Sequence, residues 1–481
     1  MSSPPHLPAA FTARVSHTLG PDFPAFLAAL GEPAPVSIRL NAGKGVAVTG
    51  LERVPWSGAG YYLPARPLFA ADPRWHAGGY YVQEASSMFL EKAFVEALTG
   101  VDEPVVLDLA AAPGGKSTHL AALLPEGGLL VANEVIRARA YILAENLTKW
   151  GTGNAIVTNN DPADFGRLPG LFDVMLVDAP CSGEGLFRKE PEAVREWSEA
   201  NVQLCAERQQ RILADAWVAL KPGGVLIYST CTYGEAENEA NLRWLLDRED
   251  VENVRIPTDP AWGVAETAVG PLTGYRFWPH RAKGEGLFMA AVRKTAGSGS
   301  PRRGRPKGLP LATRKELGPA AGWLRESVAL DWLKWNDKLL AIPAGNREAA
   351  DGVFGSLKVV YAGTEVAELV RTQANPLPGL ALSVHLAPGT FARQDLDLET
   401  ALRYLRREDV LPAALPNGWG LVSFAGLPLG WVKRIGNRAN NYWPKEWRLR
   451  MDLADALRAD STHIPFGQEA EGEEQGAQRE G

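Results

Sequence analysis

Phe172-Asp173-Val174-Met175-Leu176-Val177-Asp178-Ala179-Pro180-Cys181-Ser182-Gly183 is an apolar run that ends in a carboxylate, a rigid proline and a thiol. A short continuous apolar run bounded by turn residues reads as a buried strand. In an open α/β sheet, ligands and chemistry collect at the carboxyl ends of the strands. The stretch therefore predicts an α/β sheet with Asp178 and Cys181 at its working edge. The inert alternative is a small cysteine buried in a strand-to-loop turn.

Downstream, the pattern repeats. Lys221-Pro222-Gly223-Gly224 turns, Val225 to Ser229 reads as a second buried strand, and Thr230-Cys231-Thr232 follows. If the two strands are neighbours, Cys181 and Cys231 face one cleft, and spacing alone leaves them interchangeable. A redox pair is the competing reading, but such pairs usually lie close in sequence. Cys205 sits mid-helix and reads as core.

Upstream, Val105 to Leu109 is a short strand followed by Ala110-Ala111-Ala112-Pro113-Gly114-Gly115-Lys116-Ser117-Thr118. A phosphate loop requires glycine where Ala110 stands, which demotes a nucleotide triphosphatase. A Gly-rich turn opening a helix remains, and its free N–H groups suit a polar ligand. Glu134 ends the strand Leu129 to Asn133, where an acid commonly holds ribose hydroxyls. Asp161 closes a third strand, Ala155 to Thr158, and is placed to meet an adenine amino group. Turn, Glu134 and Asp161 together predict a nucleoside cofactor.

Helical stretches lie between these strands: Gln83 to Met88 as a helix start, His119 to Leu124, Arg137 to Trp150, Pro191 to Leu220 and Glu237 to Arg248. Alternation of this kind implies βαβ units and a mostly parallel sheet. Tyr275 to Trp278 and Gly286 to Val292 predict a closing antiparallel hairpin on the sheet edge. Before the sheet, Val36 to Asn41 alternates like a strand whose Arg39 and Asn41 read as solvated, with nucleic-acid contact as the alternative.

The chain has 481 residues, 46% of them hydrophobic; at about 100–200 residues per domain, two to four domains are expected. The net charge of −6 selects no partner. Three scattered cysteines and no paired metal-ligand spacing argue for a reducing cytosol and against a metal site. The N-terminus lacks the features of a signal peptide, and no apolar run of about 18 residues predicts a membrane span.

A thiolate beside a nucleoside-bearing methyl donor suggests attack on an electron-poor ring. Cytosine C5 is a poor nucleophile, and thiolate addition at C6 makes an enamine that accepts a methyl at C5. Asp178 is placed to hold the N3/N4 edge of such a base, which must be unstacked to be reached.

The Asp178–Gly183 stretch, Ser229-Thr230-Cys231-Thr232 and Asp108 to Lys116 resemble the RNA 5-methylcytosine methyltransferases of the NOL1/NOP2/sun family. The resemblance covers roughly residues 80 to 294 strongly. Ser37 to Asn41 and the C-terminal region are similar to the bacterial branch that methylates small-subunit (16S) rRNA. The implied fold is a Rossmann-like S-adenosylmethionine-dependent methyltransferase core with a mostly parallel seven-stranded sheet. The expected division is an N-terminal α+β RNA-recognition region (1–79), the catalytic domain (80–294), a linker (295–308), a middle α+β domain (309–372), a PUA-like RNA-binding domain (373–458) and a disordered acidic tail (459–481).

The resemblance implies that Cys231 is the nucleophile and that Cys181 assists release of the adduct. It also implies that Asp178 contacts the base with Lys116 near it. Ala112, Pro113, Gly114, Gly115, Lys116, Glu134, Asp161 and Asp178 would bind S-adenosylmethionine, with no metal. The expected partner is small-subunit rRNA or the assembling 30S subunit, met by a cytoplasmic monomer. Basic residues among aromatics from Trp431 to Arg448 suit RNA, or else a tryptophan core with solvated cations around it; Arg302, Arg303, Arg305 and Lys307 add charge in the linker. The alternatives are a non-catalytic RNA-binding or ribosome-assembly factor and a tRNA-directed methyltransferase.

Overall fold

A computed structural model describes residues 7–296, 308–371, 373–459 and 464–467. Helices α1 (Ala9–Leu19) and α2 (Phe23–Leu30) open the chain and bury Phe11, Val15, Phe26 and Leu30. Strands β1 (Val36–Leu40), β2 (Ala47–Val48) and β3 (Gly60–Leu63), the short α3 (Pro73–His76) and β4 (Tyr80–Val82) follow; β3, β1 and β4 pair antiparallel in that order.

Next come α4 (Leu90–Ala97), β5 (Val105–Asp108), α5 (Gly115–Leu123), β6 (Leu129–Asn133), α6 (Arg137–Trp150), β7 (Ala155–Thr158) and β8 (Phe172–Asp178). Then follow α7 (Pro191–Glu196), α8 (Glu199–Ala216), β9 (Leu220–Thr230), α9 (Glu239–Leu246), β10 (Val251–Asn253), β11 (Ala265–Val269), β12 (Leu272–Phe277) and β13 (Leu287–Lys294). Strands β9, β8, β5, β6 and β7 are parallel neighbours in that order. The chain runs from β5 out to β7 and then returns to the other side of β5 with β8 and β9. The order therefore reverses between β5 and β8, and such a switch point opens a ligand crevice at the strands' carboxyl ends. Strands β13 and β12 complete a seven-stranded Rossmann-like core, within a sheet of ten strands.

Apolar layers cover both faces of this sheet, one carrying Phe89, Leu143 and Trp150, the other Phe172, Ile212 and Trp217. Burial on both faces is why its parallel strands read as continuous apolar runs rather than alternating ones.

The C-terminal half adds β14 (Leu330–Trp335), β15 (Lys338–Pro343), β16 (Val359–Ala362), β17 (Thr364–Val370) and β18 (Gln373–Pro376). Strand β16 does not join the other four; it pairs antiparallel with β7 and extends the ten-stranded sheet. Strands β19 (Arg393–Asp395), β20 (Gly418–Phe424), β21 (Leu427–Ile435) and β22 (Arg438–Asn441) make a last sheet, and β23 (Phe466–Gly467) pairs with β2.

Several expectations change. Arg39 and Asn41 are neither solvated nor free for RNA; both are buried. Arg39 donates to Gln83 Oε1 at 2.8 Å and to Thr118 Oγ1 at 2.6 Å, and its guanidinium lies 4.3 Å from the Trp150 ring centre. Asn41 donates to the carbonyls of Gly78 and Trp150. Strand β1 is the central strand of its sheet, and Arg39, with Asn41 just past its end, turns toward α5 and α6 rather than into water. The helix expected from Pro191 to Leu220 breaks at Trp197, and Ser198 caps α8 through the Asn201 N–H. The expected edge hairpin is not at the edge, because β11 lies outside it. Within the tail expected to be disordered, β23 is a paired strand; residues 468–481 and the linker arginines lie outside the described residues.

Candidate active site

Between β5 and α5 the chain turns through a cis Ala112–Pro113 bond and Gly114 at φ +117°. Only glycine adopts that φ readily, so Gly114 lets the turn double back into the first turn of α5. Two side chains of α6 grip the turn: Arg139 donates to Ala112 O at 2.8 Å and Asn146 to Pro113 O at 2.7 Å. Lys116, one residue into α5, donates to Asp178 Oδ2 at 2.7 Å, while Ser229 Oγ donates to Asp178 Oδ1 at 2.7 Å. Burial opposes the Lys116 charge, but Asp178 outweighs it and raises the ammonium pKa. Asp178 is thus fixed by the ends of α5 and β9, with a lone pair on each oxygen still free.

Glu134 follows β6 and is buried; its Oε1 accepts the Ile136 N–H at 2.9 Å, and Arg139 lies 3.5 Å from Oε2. Asp161 is exposed and accepts the Ala163 N–H in a capping box with Asp164. Glu134, Asp161, Asp178, the turn residues Ala112, Pro113 and Lys116 and both loop cysteines line one cavity of about 770 Å³ at the carboxyl edge of the sheet, which Gly114 and Gly115 do not reach. Its apolar wall includes Val135 and Ile136, which are 56% and 51% exposed.

Cys181 and Cys231 approach to 3.1 Å between sulfurs. Adjacent parallel strands β8 and β9 end together, with Asp178 opposite Ser229, and so bring the two loops into register. The hydrogen bond to Cys231 and then burial push the Cys181 thiol pKa well up. Cys205 is buried in α8, away from this cavity.

Two buried carboxylates cross between the thiol loops. Glu184, in the Cys181 loop, accepts the backbone N–H of Tyr233 at 3.1 Å and the Trp197 indole at 2.8 Å, and pairs with Arg14 of α1. Glu237, after Cys231, accepts the Ser182 N–H at 2.8 Å, the Ser182 hydroxyl and the Gln209 amide. Gly185 N donates to Cys231 O at 2.8 Å, and a Cβ at Gly185 would sit 2.4 Å from Gly286 O. Each loop is therefore held by an acid that belongs to the other.

Asp108, absent from the candidates drawn from sequence, ends β5 beneath the turn. Ser117 Oγ donates to its Oδ2 at 2.6 Å, while the buried Oδ1 has no hydrogen-bond partner among the described residues. Burial pushes the carboxyl up to about 7. Its position at a strand end, matching Asp178, was a usable signal; Glu184 and Glu237 gave none, since loop and helix-start acids are ordinarily solvated.

S-adenosylmethionine carries an ammonium, a sulfonium, ribose hydroxyls and adenine. Asp108 lines an adjoining hollow of about 230 Å³ that shares Ala110, Lys116 and Asp178 with the cavity, and its orphaned oxygen is an acceptor an ammonium would satisfy. Glu134 is fixed at a strand end, and exposed Val135 and Ile136 offer an apolar face for a base. The residues fit the group. Fold and site together define an S-adenosylmethionine-dependent methyltransferase.

The family description 16S rRNA methyltransferase RsmB/F matches residues 95–293, the N-terminal domain of 16S rRNA methyltransferase RsmF matches 7–85, and the methyltransferase RsmF PUA domain matches 392–449. Ribosomal RNA small subunit methyltransferase F of Cronobacter sakazakii is 33% identical over 88% of this chain and 92% of its own. The Klebsiella pneumoniae protein of the same name is 33% identical over 92% and 96%. A methyltransferase homologue from Pyrococcus horikoshii is similar over 60% of this chain and 96% of its own, with 29% identity and a TM-score of 0.51. NSun6 from the same organism, solved with SFG, shares the fold at 21% identity and a TM-score of 0.51, over 60% of this chain and 99% of its own. The chain belongs to the ribosomal RNA small subunit methyltransferase F family.

Among the described residues no helix is long and apolar enough to cross a membrane, and no cluster of His, Cys, Asp and Glu could hold a metal ion.

Proposed function

We propose that this protein methylates C5 of a cytosine in small-subunit rRNA through a covalent bond to Cys231. The observation that carries the reading is the pair of thiols 3.1 Å apart on the wall of the cofactor cavity. When the Cys231 sulfur adds to C6 of the base, the 5,6 double bond opens and electron density moves to C5. Asp108, Glu134, Asp161 and the turn Ala112 to Lys116 would hold S-adenosylmethionine, which would supply an electrophilic methyl to C5 and leave as S-adenosylhomocysteine. Loss of the C5 proton then re-forms the double bond, breaks the C6–S bond and returns the Cys231 thiolate.

The two thiols share one hydrogen bond, and the assignment of attack to Cys231 follows the family resemblance rather than the geometry. With Cys231 bound to C6 as a thioether, the Cys181 sulfur beside it, acting as a thiolate, takes the C5 proton. Asp178, oriented by Lys116 and Ser229, accepts from the cytosine amino edge with its remaining lone pairs.

Within this reading, the folded regions flanking the catalytic sheet position RNA, and the protein acts as a cytoplasmic monomer on free rRNA or an assembling 30S subunit. The test is Cys231→Ala incubated with small-subunit rRNA and labelled methyl donor. No 5-methylcytosine should form, and wild-type yield would overturn the mechanism. Cys181→Ala should accumulate a covalent protein–RNA band on a denaturing gel, whereas unhindered turnover would refute its role in release.

A further inference from the structure

Five cations line the active-site cavity, and two of them are paired: Lys116 with Asp178, and Arg139 with Glu134 and the Ala112 carbonyl. The other three, Lys189, Arg208 and Arg211, are exposed. None of their side chains makes a hydrogen bond, ion pair or ring contact among the described residues. Acids of the same wall are taken up elsewhere: Glu84 accepts the N–H groups of Ser86, Ser87 and Glu285, and Glu285 pairs with Arg188. Exposed arginines on other helices meet an acid three or four residues away, as Arg195 meets Glu192 and Arg403 meets Glu399. On α8, Arg208 has only Leu204, Cys205, Arg211 and Ile212 at those spacings. Arg211 has Glu207 and Asp215 in reach and pairs with neither among the described residues; Glu207 accepts the Gln203 amide instead.

S-adenosylmethionine has little use for three free cations. Its sulfonium and ammonium outnumber its one carboxylate, so the cluster opposes the cofactor more than it holds it. The other reactant is a polyanion. A cytosine reaches the cavity by rotating out of its stack about its own backbone, which leaves its two flanking phosphates at the mouth. Phosphate contacts fix position and register, and the arginine fork matches phosphate oxygens two at a time. The cations stand on separate elements along that mouth. Lys189, in the loop after Cys181, also lines an adjoining hollow of about 1240 Å³ between the N-terminal sheet and the loop after β12, whereas Arg208 and Arg211 project from α8. We propose that Lys189, Arg208 and Arg211 are positioning residues that grip the phosphates flanking the target cytosine and hold the flipped nucleotide over the thiols. The inference rests on the RNA-methylation reading above.

The test uses the full chain with Lys189→Gln, Arg208→Gln and Arg211→Gln combined. Filter binding to a small-subunit rRNA transcript across a salt series should show the slope of log affinity against log salt flattened by about 2, at ~0.7 per contact on a single strand. The single-turnover methylation rate at saturating RNA should fall roughly tenfold or more, because the base is no longer held in place. S-adenosylmethionine affinity by calorimetry should stay within about twofold of wild type. Should the triple variant misfold, Arg208→Gln alone reads a slope change of about 0.7. Arg208→Lys with Arg211→Lys keeps the charges and should keep the wild-type slope; a slope flattened there as well would reduce the arginines to packing. Wild-type slope and rate in the glutamine variants overturn the proposal. A flattened slope with an unchanged saturated rate also overturns it, by moving the contacts away from the target nucleotide, and a tenfold loss of cofactor affinity would assign the cations to the cofactor carboxylate instead. Wild-type enzyme that forms no 5-methylcytosine, together with a flattened slope in the variant, would sink the activity and leave the RNA grip standing.

Discussion

At the scale of the residue, Asp108 makes the sharpest claim. Burial raises its carboxyl to about 7, so the folded protein binds a proton there that the unfolded chain releases near its ordinary 3.8. Stability of the cofactor-free protein should therefore fall as pH rises between those two values. Asp108→Asn should remove that part of the slope in thermal melts. A cationic ligand group against Oδ1 favours the ionised form, so S-adenosylmethionine should bind about tenfold more weakly at pH 6 than at pH 8. Calorimetry on Asp108→Asn should show a nearly flat profile, and an unchanged tenfold dependence would dismiss Asp108 as the ammonium partner. Lys116→Met addresses Asp178 in the same way. With its ion pair lost, Asp178 is freed to turn, and kcat should fall by about 10²-fold, as expected when a reacting group is mispositioned.

At the scale of the element, the two thiol loops stand or fall together. Glu237→Gln keeps the shape but replaces charge-assisted acceptors of the Ser182 N–H and hydroxyl by a weaker neutral one. Single-turnover rates should drop about tenfold or more while the S-adenosylmethionine Kd stays within about twofold, since Glu237 lies off the cofactor turn. Equal losses in both would reduce Glu237 to a general stability role. This is also where the sequence stops being legible. The strands β5 to β9 are readable because burial on both faces leaves their interiors almost wholly apolar, and the strand-end placement of Asp178, Cys181 and Cys231 follows. The crossed acids are not, because a buried glutamate satisfied by a distant backbone N–H looks in sequence like any surface glutamate. Arg39 and Asn41 misled for the same reason: partners at Gln83, Thr118 and Trp150 are brought near only by the fold. The assignment of attack to one thiol came from the family resemblance, since two cysteines at neighbouring strand ends are symmetric on spacing alone. In the last sheet the tryptophan-core alternative holds for Trp431 and Trp443, both buried, while Tyr442 is 41% exposed.

At the scale of the whole molecule, regions distant in sequence are joined by a few buried contacts. Arg39→Ala would leave Gln83 Oε1 without its donor, strip one hydrogen bond from Thr118 and empty the space over Trp150. A cost on the order of 3 kcal/mol is expected, read as a lower urea midpoint. A midpoint within error of wild type would show that the N-terminal sheet is only loosely coupled. The strand β16 has a different consequence, one for the timing of synthesis. Strand β7 emerges from the ribosome as an open sheet edge, and its partner Val359–Ala362 follows roughly 200 residues later. At about 5–20 residues per second, that edge waits some 10–40 seconds before it is covered. During that interval the nascent catalytic domain carries an unpaired strand against which other chains can stack. A protein that modifies ribosomal RNA thus finishes its central sheet at a time set by the ribosome's own elongation rate.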